Sequence, residues 1–190
     1  MTIQQLPPCL LWGYGISLDK HTISSTPIGH NEQGYMQFDT VRTAIGEAVF
    51  QLKYRDDFSQ VEMLARAVVA ALAGRRFDVV MPMPASRHRD RQPVHEVARR
   101  VAQLMGIAYH DQVLVKTWST GMMKDLDGYQ ARVKALAGCF SVNDTLRGPC
   151  DVLLIDDLFD TGASLQAACT PLRECASIRS ISVVTLTRRH

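Results

Sequence analysis

Three short stretches of this sequence are apolar at nearly every position: Val-Val-Met at 79–81, Val-Leu-Leu-Ile at 152–155 and Ser-Val-Val-Thr-Leu at 182–186. A strand with one wet face alternates polar and apolar residues, so runs without alternation belong to strands covered on both faces. Segments with helical spacing lie between them. At 93–105, Val94, Val97, Ala98 and Val101 recur on one face, Pro93 opens the segment and Gly106 closes it. Strands that alternate with helices and need cover on both sides predict an α/β fold: a parallel, doubly wound sheet flanked by helices. Ligands of such sheets bind beyond the carboxyl ends of the strands.

The same reading divides the chain in two. Residues 1–40 carry short runs such as YGISL, HTISS and GYMQF between Gly, Ser, Thr and Asn, which predicts a β-rich extension, a small antiparallel hairpin or meander. Residues 41–190 form the α/β domain. Val41, Ile45, Ala48, Val49 and Leu52 predict its first helix, and a second spans 59–73 with Ser59 and Glu62 as a capping box. Val61, Leu64, Ala65, Val68, Val69 and Leu72 are the expected buried face of that second helix. FDVVMPMP, 77–84, reads as a strand stopped by its prolines, and DQVLVKT, 111–117, as another. Residues 118–128 lack periodicity and predict a long loop, followed by a helix at 129–136 and the strand CFSV. The last helix, from Gly162, contains Pro171 and is expected to kink there.

Composition narrows the function classes. A chain of 190 residues with 46% hydrophobic content buries a core without a staple, and a formal charge of +2 makes no argument for nucleic acid. The five cysteines include no C-x-x-C pair, which argues against a zinc ribbon and suits a reducing compartment. The first residues have no basic leader and no run is long enough to span a membrane, so a cytoplasmic protein without membrane partners is expected.

The stretch VLLIDDLFDTGASL, 152–165, carries the chemistry. One acid is enough to cap the helix that follows. Three acids, Asp156, Asp157 and Asp160, repel one another and call for an external partner: hydroxyl donors, a cation, or both. Thr161, Gly162, Ala163 and Ser164 then open a helix, where backbone N–H groups and the local dipole favour a phosphate. Carboxylates beside a phosphate cradle accept a phosphate carried on a sugar, whose hydroxyls donate to them. The expected ligand is a sugar phosphate, with its ring over Asp156 and Asp157.

That stretch resembles the PRPP-binding signature of the type I phosphoribosyltransferases: an apolar strand, two acids, then Thr-Gly and a small hydroxylated position. The resemblance implies a parallel sheet flanked by helices with an N-terminal hood. It implies that Asp156 and Asp157 bind the ribose 2- and 3-hydroxyls and that Asp160 to Ser164 hold the 5-phosphate. Asp160 stands where the 6-oxopurine salvage enzymes also carry Asp, so it serves either as a base near the acceptor or as a cap. Over residues 44–190 the sequence is similar to the ComF-like branch, in QLKYR at 51–55, in MPMPASRHRDRQPVHEVARRVAQLMG, and loosely in QARVKALAGCF. Gln92, Pro93 and Val94 replace that branch's Gly-Phe-Asn, and its N-terminal zinc ribbon is absent.

What the resemblance implies is a Mg2+-dependent transfer of phosphoribosyl from PRPP to a nitrogenous base with release of pyrophosphate. Pro84, Ala85, Ser86 and Arg87 match the pyrophosphate loop, Lys53 adds a second positive group, and Asp156 and Asp157 face the metal, through water. Residues 118–132 match a closing flap in which Lys124, as a catalytic group, and Arg132 reach the pyrophosphate while Trp118, Met122 and Met123 shield the base. A homodimer is usual for the family. The alternative is a non-catalytic protein binding PRPP or a ribose 5-phosphate-containing nucleotide, regulatory or tied to DNA uptake; Arg87, Arg89 and Arg91 then read as a nucleic-acid contact. A phosphotransfer protein with an aspartyl nucleophile fits less well, because its acid spacing differs and the Thr-Gly-Ala-Ser turn goes unused.

Overall fold

The computed structural model describes residues 1–85, 89–117, 136 and 138–190. Its sheet is built outward from β9 (Cys150–Phe159) and β10 (Ile178–Arg188), the two longest apolar runs, which pair in parallel with Val183 opposite Leu154 and Thr185 opposite Asp156. β5 (Val79–Pro82) flanks β9 in parallel and β6 (Ala108–Tyr109) flanks β5. On the far side, β2 (Tyr14–Lys20) runs parallel to β10, and β1 (Gln4–Gln5) closes that edge antiparallel. The order is therefore β1-β2-β10-β9-β5-β6.

Successive strand residues face opposite sides, which gives the sheet two apolar faces. Leu153, Ile155, Val184 and Leu186 pack with α1 (Ala44–Tyr54), α2 (Gln60–Ala71) and α3 (Pro93–Met105). Val152, Leu154, Ile181 and Val183 pack with α4 (Ala163–Glu174), with Leu6 and Trp12, and with the antiparallel pair β7 (Leu114–Lys116) and β8 (Phe140–Val142). Each Val, Leu or Ile buried this completely contributes about 1.5–3 kcal/mol of transfer free energy.

The expected β-rich segment divides. HTISS and GYMQF form the antiparallel hairpin of β3 (Thr22–His30) and β4 (Met36–Arg42), which exposes Ile23, Ile28, Tyr35, Met36 and Phe38. YGISL instead lies in β2, where Ile16 and Leu18 are core residues, because β10 leaves an edge on that side for a parallel partner. Val41, expected in the first helix, belongs to β4 and is exposed. Thr43 starts α1 instead, its hydroxyl accepting from the Gly46 N–H at 2.9 Å.

The capping box at 59 and 62 does not form. Asp57 accepts from both the N–H and the hydroxyl of Ser59, while Glu62 is drawn to Arg66 and to Arg100 of α3, at 2.5 Å from the Arg100 Nε. α3 has the expected bounds, with Gly106 left-handed at its end. Pro171 lies inside α4. The loop at 118–128 and all but Leu136 of the helix at 129–136 lie outside the described residues.

Candidate functional site

β5 stops at Pro82, opposite Ile155, and the Met83 N–H donates to the Ile155 carbonyl at 2.8 Å. Pro82 and Pro84 supply no N–H to carry the ladder further. β10, in contrast, continues beside β9 as far as Arg188. Asp156 and Asp157 thus sit inside β9, beyond the end of β5, where one neighbouring strand has gone. A cleft of about 260 Å3 opens there, close to the lower bound of roughly 300 Å3 usual for small-molecule sites.

Three segments distant in sequence line this cleft: Lys53 and Tyr54 from the end of α1, Met83 to Ala85 from the loop after β5, and Asp156 and Asp157 from β9. Its remaining wall is Arg89 with the first turn of α3, from Gln92 to His95. Lys53, Pro84, Ala85, Asp156 and Asp157, all expected from sequence, are brought together. Ser86, Arg87 and Lys124, like Arg132, Trp118, Met122 and Met123, lie outside the described residues. Asp160 and the Thr161–Ser164 turn do not line the cleft but follow directly on from β9.

The electrostatics of the acid pair are asymmetric. Asp157 carries an ion pair with the Lys53 ammonium, and the Thr187 hydroxyl donates to its carbonyl at 2.8 Å. The His21 Nδ1 lies 3.3 Å from that hydroxyl. Asp156 accepts the Asp157 N–H at 2.8 Å on one carboxylate oxygen, yet burial and the neighbouring Asp157 charge push its pKa up to about 8. Burial alone would lower Lys53, but the Asp157 charge and hydrogen bond outweigh it and the ammonium is held above its ordinary value. His21 moves down, through burial and then the Arg42 charge. The resting pair thus has one carboxylate tied to an ammonium and one that favours its neutral form.

In the turn after β9, Gly162 has a left-handed backbone (φ 81°), and a Cβ there would stand 3.1 Å from the Phe159 ring. Backbone conformation and close approach both require glycine. The Ala163 N–H lies 3.4 Å from the Thr161 hydroxyl, and Thr161 and Ser164 are exposed at the start of α4. Asp160 is tied to Arg189 at 3.1 Å and has His190 at 3.9 Å.

Arg89 was legible in the sequence only as one of three arginines. Here its Nη1 donates to the Lys53 carbonyl at 2.6 Å, joining the loop after β5 to the end of α1. Arg91 instead turns to Glu96 and lies over the Phe58 ring at 3.8 Å, so these two arginines form no common stripe. Tyr54, Gln92 and His95 were missed as lining residues. For Tyr54 the signal was its place beside Lys53 in QLKYR.

Among the described residues, no group of three or more His, Cys, Asp or Glu side chains gathers as a metal site. The acid pair does suit Mg2+ of the kind that keeps several waters and takes its other ligands from a substrate.

No protein-family model matches the sequence, and no curated protein matches it. Solved structures do. The glutamine phosphoribosylpyrophosphate amidotransferase of B. subtilis, solved with ADP and GMP, superposes with a TM-score of 0.50 and 18% identity over 82% of this chain. The fold is that of the type I phosphoribosyltransferases. A structure described as the allosteric regulatory enzyme of purine biosynthesis gives a TM-score of 0.51, also at 18% identity over 82% of this chain. In both cases this chain spans 34% of the matched one. Adenine phosphoribosyltransferase of Thermoanaerobacter pseudethanolicus is similar at a TM-score of 0.48 and 16% identity, covering 79% of this chain and 77% of that one. Among the described residues, no helix is long and apolar enough to cross a membrane.

Proposed function

We propose that this phosphoribosyltransferase-fold chain binds PRPP at the carboxyl end of β9 and, with Mg2+, transfers its phosphoribosyl group to a nitrogenous base. The observation that carries this reading is the cleft itself: Lys53, the Pro84–Ala85 loop and the Asp156–Asp157 pair converge on it from three separate segments. Asp156 and Asp157 accept the two ribose hydroxyls, and the turn from Asp160 to Ser164 holds the 5-phosphate at the start of α4. As the bond from C1 to pyrophosphate opens, positive charge grows on the ring and negative charge on the leaving group. The carboxylates face the first, and Lys53 with Arg89 faces the second. Bound Mg2+ supplies charge neutralisation of the pyrophosphate oxygens. Asp160 is within the same turn as the phosphate cradle, and its tie to Arg189 favours capping and orientation of that turn over proton transfer.

Placement in the ComF-like branch rests on the QLKYR and MPMP segments, which supply Lys53 and the loop of this cleft. The test is calorimetric titration of PRPP with Mg2+ into the parent and into a chain with Asp156→Asn and Asp157→Asn. The double variant is expected to fold and to lose binding; unchanged affinity overturns the site. Labelled PRPP supplied with adenine, hypoxanthine, guanine, xanthine, uracil or orotate then separates transfer from binding alone. PRPP bound but never consumed would leave a nucleotide-sensing protein.

A further inference from the structure

One wall of the cleft has no use for a sugar or a phosphate. Tyr54 ends α1 beside Lys53, lines the cleft, and leaves 60% of its surface exposed. Its ring is nevertheless supported. Phe50, one turn earlier, stacks against it with ring centroids 5.3 Å apart and planes tilted by 33°. The Arg42 guanidinium lies over the Phe50 ring at 3.8 Å, so the stack reaches back to the end of β4. An aromatic ring held in place by its neighbour loses little freedom when a second flat group covers it. Met83, Pro93 and Val94 add apolar surface to the same cleft, whereas Lys53, Arg89, Asp156 and Asp157 are already committed to the ribose and pyrophosphate.

We propose that Tyr54 is the stacking platform for the nitrogenous base and determines specificity for planar heterocycles over small aliphatic amines. This rests on the reading of the cleft as a phosphoribosyl site and adds the residue that meets the acceptor. Every nucleobase has a π-face, so the platform selects flat rings as a class and leaves the choice among them to edge contacts.

The experiment is calorimetric titration of ribose 5-phosphate and of AMP, IMP and UMP into the parent, Tyr54→Ala and Tyr54→Phe. At least one nucleotide is expected to bind the parent on the order of tenfold more tightly than ribose 5-phosphate. Tyr54→Ala removes that advantage while ribose 5-phosphate affinity stays within about twofold, and Tyr54→Phe keeps it, as stacking on either ring requires. A nucleotide advantage that is absent from the parent, or that survives Tyr54→Ala, overturns the platform while leaving the ribose phosphate site intact. A parent that binds no ribose 5-phosphate overturns the cleft assignment itself. Because Tyr54 is exposed, the alanine variant is expected to keep the parent's unfolding midpoint.

Discussion

Binding of a pentose phosphate should expel a proton from Asp156. Burial and the Asp157 charge push its pKa up to about 8, so the neutral form outweighs the carboxylate at pH 7. Ring hydroxyls that donate to this group favour the ionised form, and a drop of its pKa below about 6 would release most of one proton per site at that pH, roughly 0.8 or more. Titrating ribose 5-phosphate in metal-free buffers of low and high ionisation enthalpy measures the number directly. The ligand's own phosphate titrates near pH 6, so the count is made between pH 7 and 8, and Asp156→Asn provides the subtraction. Affinity should then rise toward pH 8, by up to about tenfold per unit below it, as the carboxylate becomes available without deprotonation. A parent that releases no proton at pH 7, or an Asp156→Asn variant that releases as many, would refute the assignment of Asp156 to the hydroxyls.

Stability should carry the same signature: with its folded pKa raised, Asp156 makes the folded chain bind more protons than the unfolded chain between about pH 4 and about pH 8, so unfolding free energy falls as pH rises through that window. Denaturant midpoints at pH 5 and pH 8 should show this fall in the parent and a flatter profile in Asp156→Asn. At Gly46, an added Cβ would come 2.8 Å from the His21 carbonyl carbon and closer still to its oxygen. Gly46→Ala should therefore push α1 outward, cost about 1–3 kcal/mol in thermal unfolding and weaken ribose 5-phosphate binding through Lys53. Leu154→Ala, fully buried in β9, should cost about 2–5 kcal/mol and lower the unfolding midpoint by on the order of 5–15 °C. Thr43→Ala removes the cap of α1 and should cost about 1 kcal/mol, read by the same melt.

The sheet's centre was readable because Val152–Ile155 and Val183–Leu186 must be covered on both faces, a demand local to each strand. The acid pair and the Gly162 turn were readable for a similar reason: their chemistry lies within a few consecutive residues. What could not be read depends on long-range partners. Nothing in YGISL says that its strand neighbour is β10, and Val41 fits a helical face as well as a hairpin. The box at Ser59 and Glu62 failed because Arg100, 38 residues further on, offers Glu62 a charged partner that a local N–H cannot match. The cleft itself is a consequence of β5 ending before β9 does, and only its prolines announced that in advance.

β10 follows both of its partners in sequence and lies between β2 and β9. Ties such as His21 to Thr187 and Thr2 to Arg188 join residues 166 and 186 apart. On the ribosome, both flanking strands must wait with an open edge until β10 emerges and slots between them. Closure of so many distant contacts in one late step predicts slow maturation and a need for chaperone protection during synthesis, because β9 gains its second neighbour only then.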